Sequence, residues 1–235
     1  MRLAFRSALV AFVLAAALVA VAPAGSANEC DGLMVCVPVA GPWVAVPGGS
    51  GATRPEVRYQ VTCPRGYIVG GTDAEVSARA VDVSFLARVG SPVNPGISTR
   101  RSAIFLGFYA GRTARSPSFR PHVGCIPSSG GGSRVPTAAG QLPAGEPVTW
   151  RVRTVRVRPG TATVTQRCGR RERLVRASHA FGFFTKSPPS ASLVASVSAS
   201  RSRSGAAVVA RVRGDAEVGS ARVVVQVQAV CSAVA

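Results

Sequence analysis

Four arginines lie close together in the segment TWRVRTVRVRPG, and they could bind a polyanion. Arg151 and Arg153 alternate with apolar residues, and Arg156 and Arg158 continue the alternation after a shift of phase at Thr154–Val155. Alternate residues of a strand share a face, so a β-bulge at this shift would gather all four guanidinium groups on one face. Guanidinium groups bind phosphate and carboxylate through two parallel hydrogen bonds. The segment therefore predicts an anion-binding site; the alternatives are a solvated edge strand whose charges deter aggregation, or two strands that meet at a bend.

Residues suited to catalysis are sparse in this chain. It has no Gly-x-Ser-x-Gly, no Cys-x-x-Cys and no pair of histidines at metal-ligand spacing. Asp73 and Glu75 would share one face of a strand, and a weak internal match pairs Asp73 with His179, which could bring a carboxylate near an imidazole. The simpler interpretation is that Asp73 and His179 are turn residues that bind backbone amides. We therefore assign no catalytic residue, no cofactor and no metal.

The cysteines predict a disulfide framework. An even number of cysteines in an exported chain indicates disulfides rather than catalytic thiols. The separation between Cys63 and Cys125 nearly equals that between Cys168 and Cys231, which leaves Cys30 with Cys36. Among the possible pairings, the spacing therefore predicts the bridges Cys30–Cys36, Cys63–Cys125 and Cys168–Cys231.

The elements that must position these residues are β-strands, because alternation with a period of two dominates the chain. In RVVVQVQAVC, for example, valines and Cys231 share one face, while Gln226 and Gln228 lie on the other. Such segments predict half-buried strands bounded by turns. SASRSRSG, residues 198–205, predicts a flexible basic loop. The fold class is predicted to be all-β, a disulfide-stapled antiparallel β-sandwich built from two related β modules.

Two segments lie outside the predicted modules, a leader and a linker. Residues 1–27 are typical of a signal peptide, with Arg2 and Arg6 before the apolar run Ala8–Val21 and cleavage after Ala24 or Ala27. A Gly/Pro/Ser-rich stretch at 127–147 predicts a linker. These limits place module 1 at 28–126 and module 2 at 148–235, with no transmembrane segment in the mature chain. PRGYIVGGTDA after Cys63 matches GRRERLVRASHA after Cys168 with one inserted residue, which predicts that the modules are related.

The charge of the chain bears on its partners. The formal net charge is +18, and every basic residue except Lys186 is arginine, a bias that a GC-rich genome would explain. The excess of positive charge favours polyanionic partners such as an anionic cell-wall polymer or lipid head groups. Nucleic acid is disfavoured because the main aromatic cluster, Phe181–Phe184, reads as core rather than as a platform for bases.

YIVGGTDA, residues 67–74, resembles the start of a mature trypsin-like serine protease. Activation in that family needs a basic residue before the isoleucine, and here Tyr67 precedes Ile68. His122 and His179 both lack the family's Ala-His-Cys context, and no Gly-Asp-Ser-Gly-Gly follows. The match is therefore coincidental, and a trypsin-like protease is rejected. We predict that Gly70–Gly71 form a turn with positive φ.

Longer blocks carry a second resemblance. CDGLMVCVPVAGPWVAVP, the segment from YQVTC to GSPVNPG, and FRPHVGCIPSSGGG together resemble a family of uncharacterised secreted proteins of high-GC Gram-positive bacteria. That family has no established activity, so the resemblance implies export and disulfides and transfers no site. We predict a secreted, non-enzymatic protein of the extracellular space or cell envelope that binds an anionic polymer or surface. The alternatives are a secreted hydrolase with a loop-assembled site and a purely structural surface protein.

Overall fold

The structure is a computed structural model that describes residues 28–48, 55–86, 101–111, 116–128 and 148–233. The predicted signal peptide, and residues 129–147 of the predicted linker, lie outside the described residues. In the described part nearly all regular structure is antiparallel strand, which confirms the predicted all-β fold. No helix in these ranges is long and apolar enough to cross a membrane.

Within the described residues, the strands follow one another with one short helix and one 3-10 turn among them. In chain order they are β1 Val37–Ala40, β2 Trp43–Ala45, β3 Val57–Thr62, β4 Tyr67–Val76, β5 Val81–Leu86, β6 Ser102–Tyr109, β7 Ser118–Pro127, β8 Val148–Arg156, β9 Gly160–Arg167, β10 Glu172–Phe184, α1 Ala191–Ala195, β11 Val197–Ser204, β12 Ala207–Gly214, the 3-10 turn Ala216–Ser220 and β13 Arg222–Ala233.

One seven-stranded sheet runs through both halves of the chain. Its order is β4, β7, then β1 and β2 end to end, then β10, β13 and β8, and β2 joins the halves because it pairs with both β7 and β10. The smaller sheets β3–β6–β5 and β9–β12–β11 cover it. They pack on opposite faces, because Val44 of β2 lies in the core under β3–β6–β5 and its neighbour Trp43 lies in the core under β9–β12–β11.

The two halves share one topology. β4–β7–β1 with β3–β6–β5 in the first half corresponds to β10–β13–β8 with β9–β12–β11 in the second. Disulfides join Cys63 to Cys125 and Cys168 to Cys231 at equivalent places, and a third joins Cys30 to Cys36, so the pairs are those that the spacing predicts. The halves are therefore related modules in the structural sense.

The ladder register corrects the internal sequence match. A bulge follows Val69, opposite Cys125, in the first half and follows Leu174, opposite Cys231, in the second. Counted from these cysteines, Asp73 corresponds to Ser178 and not to His179, because Asp73 pairs with His122 and Ser178 with Gln228. The inserted residue of the second half therefore lies after this strand and not before it.

The glycines of YIVGGTDA form no turn. Gly70 and Gly71 lie inside β4, and neither has a positive φ. Gly71 pairs with Gly124 of β7, and a Cβ on either residue would collide with the carbonyl oxygen of Glu29. These glycines are therefore needed for close approach of the N-terminal segment to the sheet, and the predicted turn is wrong.

Two further sequence predictions are wrong. SASRSRS belongs to strand β11, which pairs with β12 along its whole length. Alternate residues of this strand complete the edge of the core under β9–β12–β11, which we call the second core. β13 is buried on both faces rather than half-buried. Its second face lies against β3 of the first half, where Gln226 and Gln228 bind the backbone.

Candidate functional site

The four arginines predicted as one site do not share a face. β8 pairs with β13 from Val148 to Arg156 with no register shift, so the predicted bulge is absent. Arg151 and Arg153 therefore lie on the face of β8 that borders the second core, Arg156 lies on the other face, and Arg158 follows the end of the strand. The unbroken alternation of strand faces separates them.

Arg151 is already paired within the protein. Its Nε and Nη2 atoms donate to the two carboxylate oxygens of Glu172, each at 2.8 Å, and Glu172 also accepts from the Gly169 amide at 2.6 Å. The hydrogen bonds from Arg151 hold the pKa of Glu172 below its usual value, and the same contact raises the pKa of Arg151. Arg153 donates to the carbonyl oxygen of Thr165 at 3.2 Å. An anion would have to displace these partners.

A different surface gathers arginine and hydroxyl side chains, the outer face of β9–β12–β11. Val208, Ala210 and Val212 of β12 are buried in the second core, so Arg211 and Arg213 point outward. We call this surface the Arg–hydroxyl face and define it by the side chains of Thr161, Thr163, Thr165, Arg167, Ser198, Ser200, Ser202, Ser204, Arg211 and Arg213.

Its arrangement follows from the register. Arg211 lies between Ser200 of β11 and Thr163 of β9, and Arg213 lies in the same way between Ser198 and Thr161. Neighbours on one strand face are about 7 Å apart, and adjacent strands are about 4.8 Å apart. All members are exposed except the half-buried Thr165.

The charged side chains of this face are all positive. The sequences of β9, β11 and β12 contain no acidic residue. Neither Arg211 nor Arg213 forms an ion pair with any residue that the structure describes. The two guanidinium groups are therefore open to an external anion, with hydroxyl groups on both sides of each. The alternation in TATVTQR, SASRSRS and ARVRG could have indicated such faces, but only the strand order brings them together.

A separate acidic cluster lies on the first half. Asp73 and Glu75 share the outer face of β4, as predicted, and His122 of β7 lies beside them. Its Nε2 atom is 3.0 Å from Glu75 Oε1, and its Nδ1 atom is 3.6 Å from Oε1 of the buried Glu29. Asp73 accepts hydrogen bonds from the backbone amides of Asn28 and Ala74. Asp73 thus binds backbone amides as the simpler interpretation predicts, but both Asp73 and His179 lie within strands and not in turns.

His179 lies in the other half, away from Asp73. Its Nδ1 atom is 3.3 Å from Nη1 of Arg201, and its ring meets Phe181 edge-on. Burial, together with the Arg201 charge, lowers the pKa of His179. The structure therefore does not bring the carboxylate and imidazole of the internal match together.

A cavity of about 350 Å³ opens between the halves, at the free edge of β3. Its polar lining includes Gln60, Thr62, Thr154 and Gln226. Tyr59 is the one ionisable residue in the lining, and burial raises its pKa. Neither Asp73 nor His179 reaches it, so the cavity does not supply the acid–base pair that the hydrolase alternative would use.

One group of potential metal ligands occurs among the described residues. Sγ of Cys168, Sγ of Cys231 and a carboxylate oxygen of Glu172 lie within 4.8 Å of one another. The two sulfurs are bonded to each other at 2.02 Å, and Glu172 is held by Arg151. None of these donors is therefore free to bind a cation.

Comparisons of the chain with protein-family models, with curated proteins and with solved structures found no match. The resemblance to secreted proteins of Gram-positive bacteria therefore stays a prediction. The functional argument depends on the side chains themselves.

Proposed function

We propose that the protein is exported and binds an anionic polymer through the Arg–hydroxyl face. The observation that carries this proposal is the placement of Arg211 and Arg213, each flanked by a serine and a threonine in neighbouring strands, with no acidic residue in the three strands. Three disulfides fit an oxidising compartment outside the cytosol. The predicted signal peptide gives the route.

The chemistry suits a polymer that carries phosphate or carboxylate groups. A guanidinium group binds two oxygens of such a group at once, and flanking hydroxyls can donate to the remaining oxygens. Because the arginines repeat along β12, successive anionic groups of one chain can be bound together, which raises affinity by multivalency. No aromatic side chain lies in β9, β11 or β12, so bases have nothing to stack on, which favours a wall-type polymer over single-stranded nucleic acid.

The first prediction concerns the double variant Arg211→Ala/Arg213→Ala. We expect its affinity for an anionic resin or for polyphosphate, at physiological ionic strength, to fall by about tenfold, because each lost charge-assisted contact is worth roughly 1 kcal/mol or less at an exposed site. Binding would be measured by retention on the resin and by titration with polyphosphate over a range of salt concentrations.

The matched control is Arg65→Ala/Arg79→Ala, which removes two exposed positive charges from the first half. This control should keep most of the affinity, since long-range charge alone contributes little at physiological ionic strength. Equal losses in both variants would show that net charge, not this face, attracts the polymer. Binding that salt does not weaken would contradict the electrostatic basis of the proposal.

A further inference from the structure

The segment Asn28–Cys36, which we call the N-terminal cap, lies on the outer face of β4 and β7. The backbone of Glu29 crosses the gap left by Gly71 and Gly124, and a Cβ on Gly124 would also approach Sγ of Cys36. The equivalent face of the second half, on β10 and β13, is covered by β3. The cap therefore covers the outer face of the first half, whereas the equivalent face of the second half is buried against β3 of the neighbouring module.

The cap begins with a contact to a carboxylate. The backbone nitrogen of Asn28 donates to Oδ2 of Asp73 at 2.6 Å, and Oδ1 of Asp73 accepts from the Ala74 amide at 2.7 Å. The nitrogen of Asn28 belongs to the bond Ala27–Asn28, which is one of the two predicted cleavage points for signal peptidase.

We propose that cleavage at Ala27–Asn28 creates an α-ammonium group that pairs with Asp73 and closes the N-terminal cap. In this hydrolysis, water adds to the Ala27 carbonyl, the leader departs with a carboxylate, and the nitrogen of Asn28 leaves as an amine that takes up a proton. A neutral amide donor at Asp73 thereby becomes a cationic one, which makes a stronger hydrogen bond to a carboxylate. This inference rests on the export that the proposed function includes.

The surroundings of Asp73 favour a cation. Glu75 shares the outer face of β4, and Glu29 follows Asn28 directly. The positively charged side chain on this face is that of Arg120, whose Nε donates to the Gly41 carbonyl at 3.2 Å, while the imidazole of His122 contacts Glu75 and Glu29. Cleavage after Ala24 would leave Gly25–Ala27 attached, and the nitrogen of Asn28 would remain an uncharged amide.

The test compares four chains in a two-by-two design. Two begin at Asn28 and two at Gly25, and each start is made with Asp73 and with Asp73→Asn. All four are released from cleavable fusions, so their N-termini are defined without export. The measurement is the rate at which an aminopeptidase removes residues up to Asn28, with the denaturant unfolding curve as a check that every chain is folded.

In chains that begin at Asn28, we expect Asp73→Asn to speed removal of Asn28 by about threefold, the loss expected for one exposed ion pair. In chains that begin at Gly25, the same substitution should change trimming of Gly25–Ala27 by less than this. An equal effect of Asp73→Asn in both backgrounds would show that the ammonium adds nothing and would overturn the pairing.

The cleavage point is tested separately, by the intact mass and N-terminal sequence of the exported protein. A mature chain beginning at Asn28 supports the proposal, and one beginning at Gly25 overturns it. Failure to be exported at all would overturn the proposed function, while the four defined chains would still decide whether Asp73 binds the ammonium. Loss of polymer binding is likewise independent of both readouts.

Discussion

Removal of the Cys168–Cys231 bridge by Cys168→Ala/Cys231→Ala is expected to lower the free energy of unfolding by about 4 kcal/mol. The bridge closes a loop of 63 residues in the unfolded chain, so its loss restores a large conformational entropy to that state. It also leaves space in the second core, where Cys231 is fully buried. Denaturant unfolding of the oxidised wild type and of the variant measures the difference.

The comparison variant is Cys30→Ala/Cys36→Ala, which opens a loop of only 6 residues in the N-terminal cap. The chain-entropy model gives this bridge about 2 kcal/mol, roughly half the value of the long one. A short bridge that proved as important as the long bridge would contradict the entropic account. It would indicate instead that packing of the cap stabilises the protein by more than the length of the closed loop predicts.

The long-range framework of this fold was predictable because it depends on residue spacing. The near-equal separations of the bridging cysteines predict two of the three disulfide pairs, and the third follows by elimination. Period-two alternation predicts the strands, as in VRYQVT, where Val57, Tyr59 and Val61 are buried and Arg58 and Gln60 are less so. Both signals are present in the sequence whichever strands become neighbours in the fold.

The candidate site was less predictable, because it depends on which strands become neighbours. Arg151, Arg153 and Arg156 are close in sequence, yet the unbroken ladder of β8 divides them between two faces. Arg211 lies in the hairpin next to Ser200 but far from Thr163 in the chain, and only the order β11–β12–β9 places it between them. A sequence pattern defines the face of one strand, but not the strand beside it.

The interface between the halves was not predictable from the sequence, for a related reason. Gln226 and Gln228 alternate with valines in β13, a pattern that predicts a solvated face. In the structure both are buried, because β3 of the first half covers them. Oε1 of Gln226 accepts from the Gln60 amide at 2.6 Å, and its Nε2 donates to the Gln60 carbonyl at 3.0 Å. The side-chain amide binds the free edge of β3 as a neighbouring strand would.

Substitution of this side chain, Gln226→Leu, is therefore expected to lower the free energy of unfolding by about 3 kcal/mol, because each buried backbone group left without a partner costs roughly 1–3 kcal/mol. Both the amide and the carbonyl of Gln60 would lose their bonds to Gln226. Gln228, which donates to Oε1 of Gln226 at 2.8 Å, would lose an acceptor as well. The measurement is denaturant unfolding at constant pH.

The matched control is Gln60→Leu, which changes a glutamine in the same contact but keeps its backbone groups bound to Gln226. The Gln60 side chain donates only to Thr62 Oγ1, at 3.3 Å and in an exposed position, so its loss should cost about 0.5 kcal/mol or less. Equal destabilisation by the two variants would show that the Gln226 amide does not hold β3. A large difference would show that the Gln226 amide supplies much of the hydrogen bonding between β13 and the edge of β3.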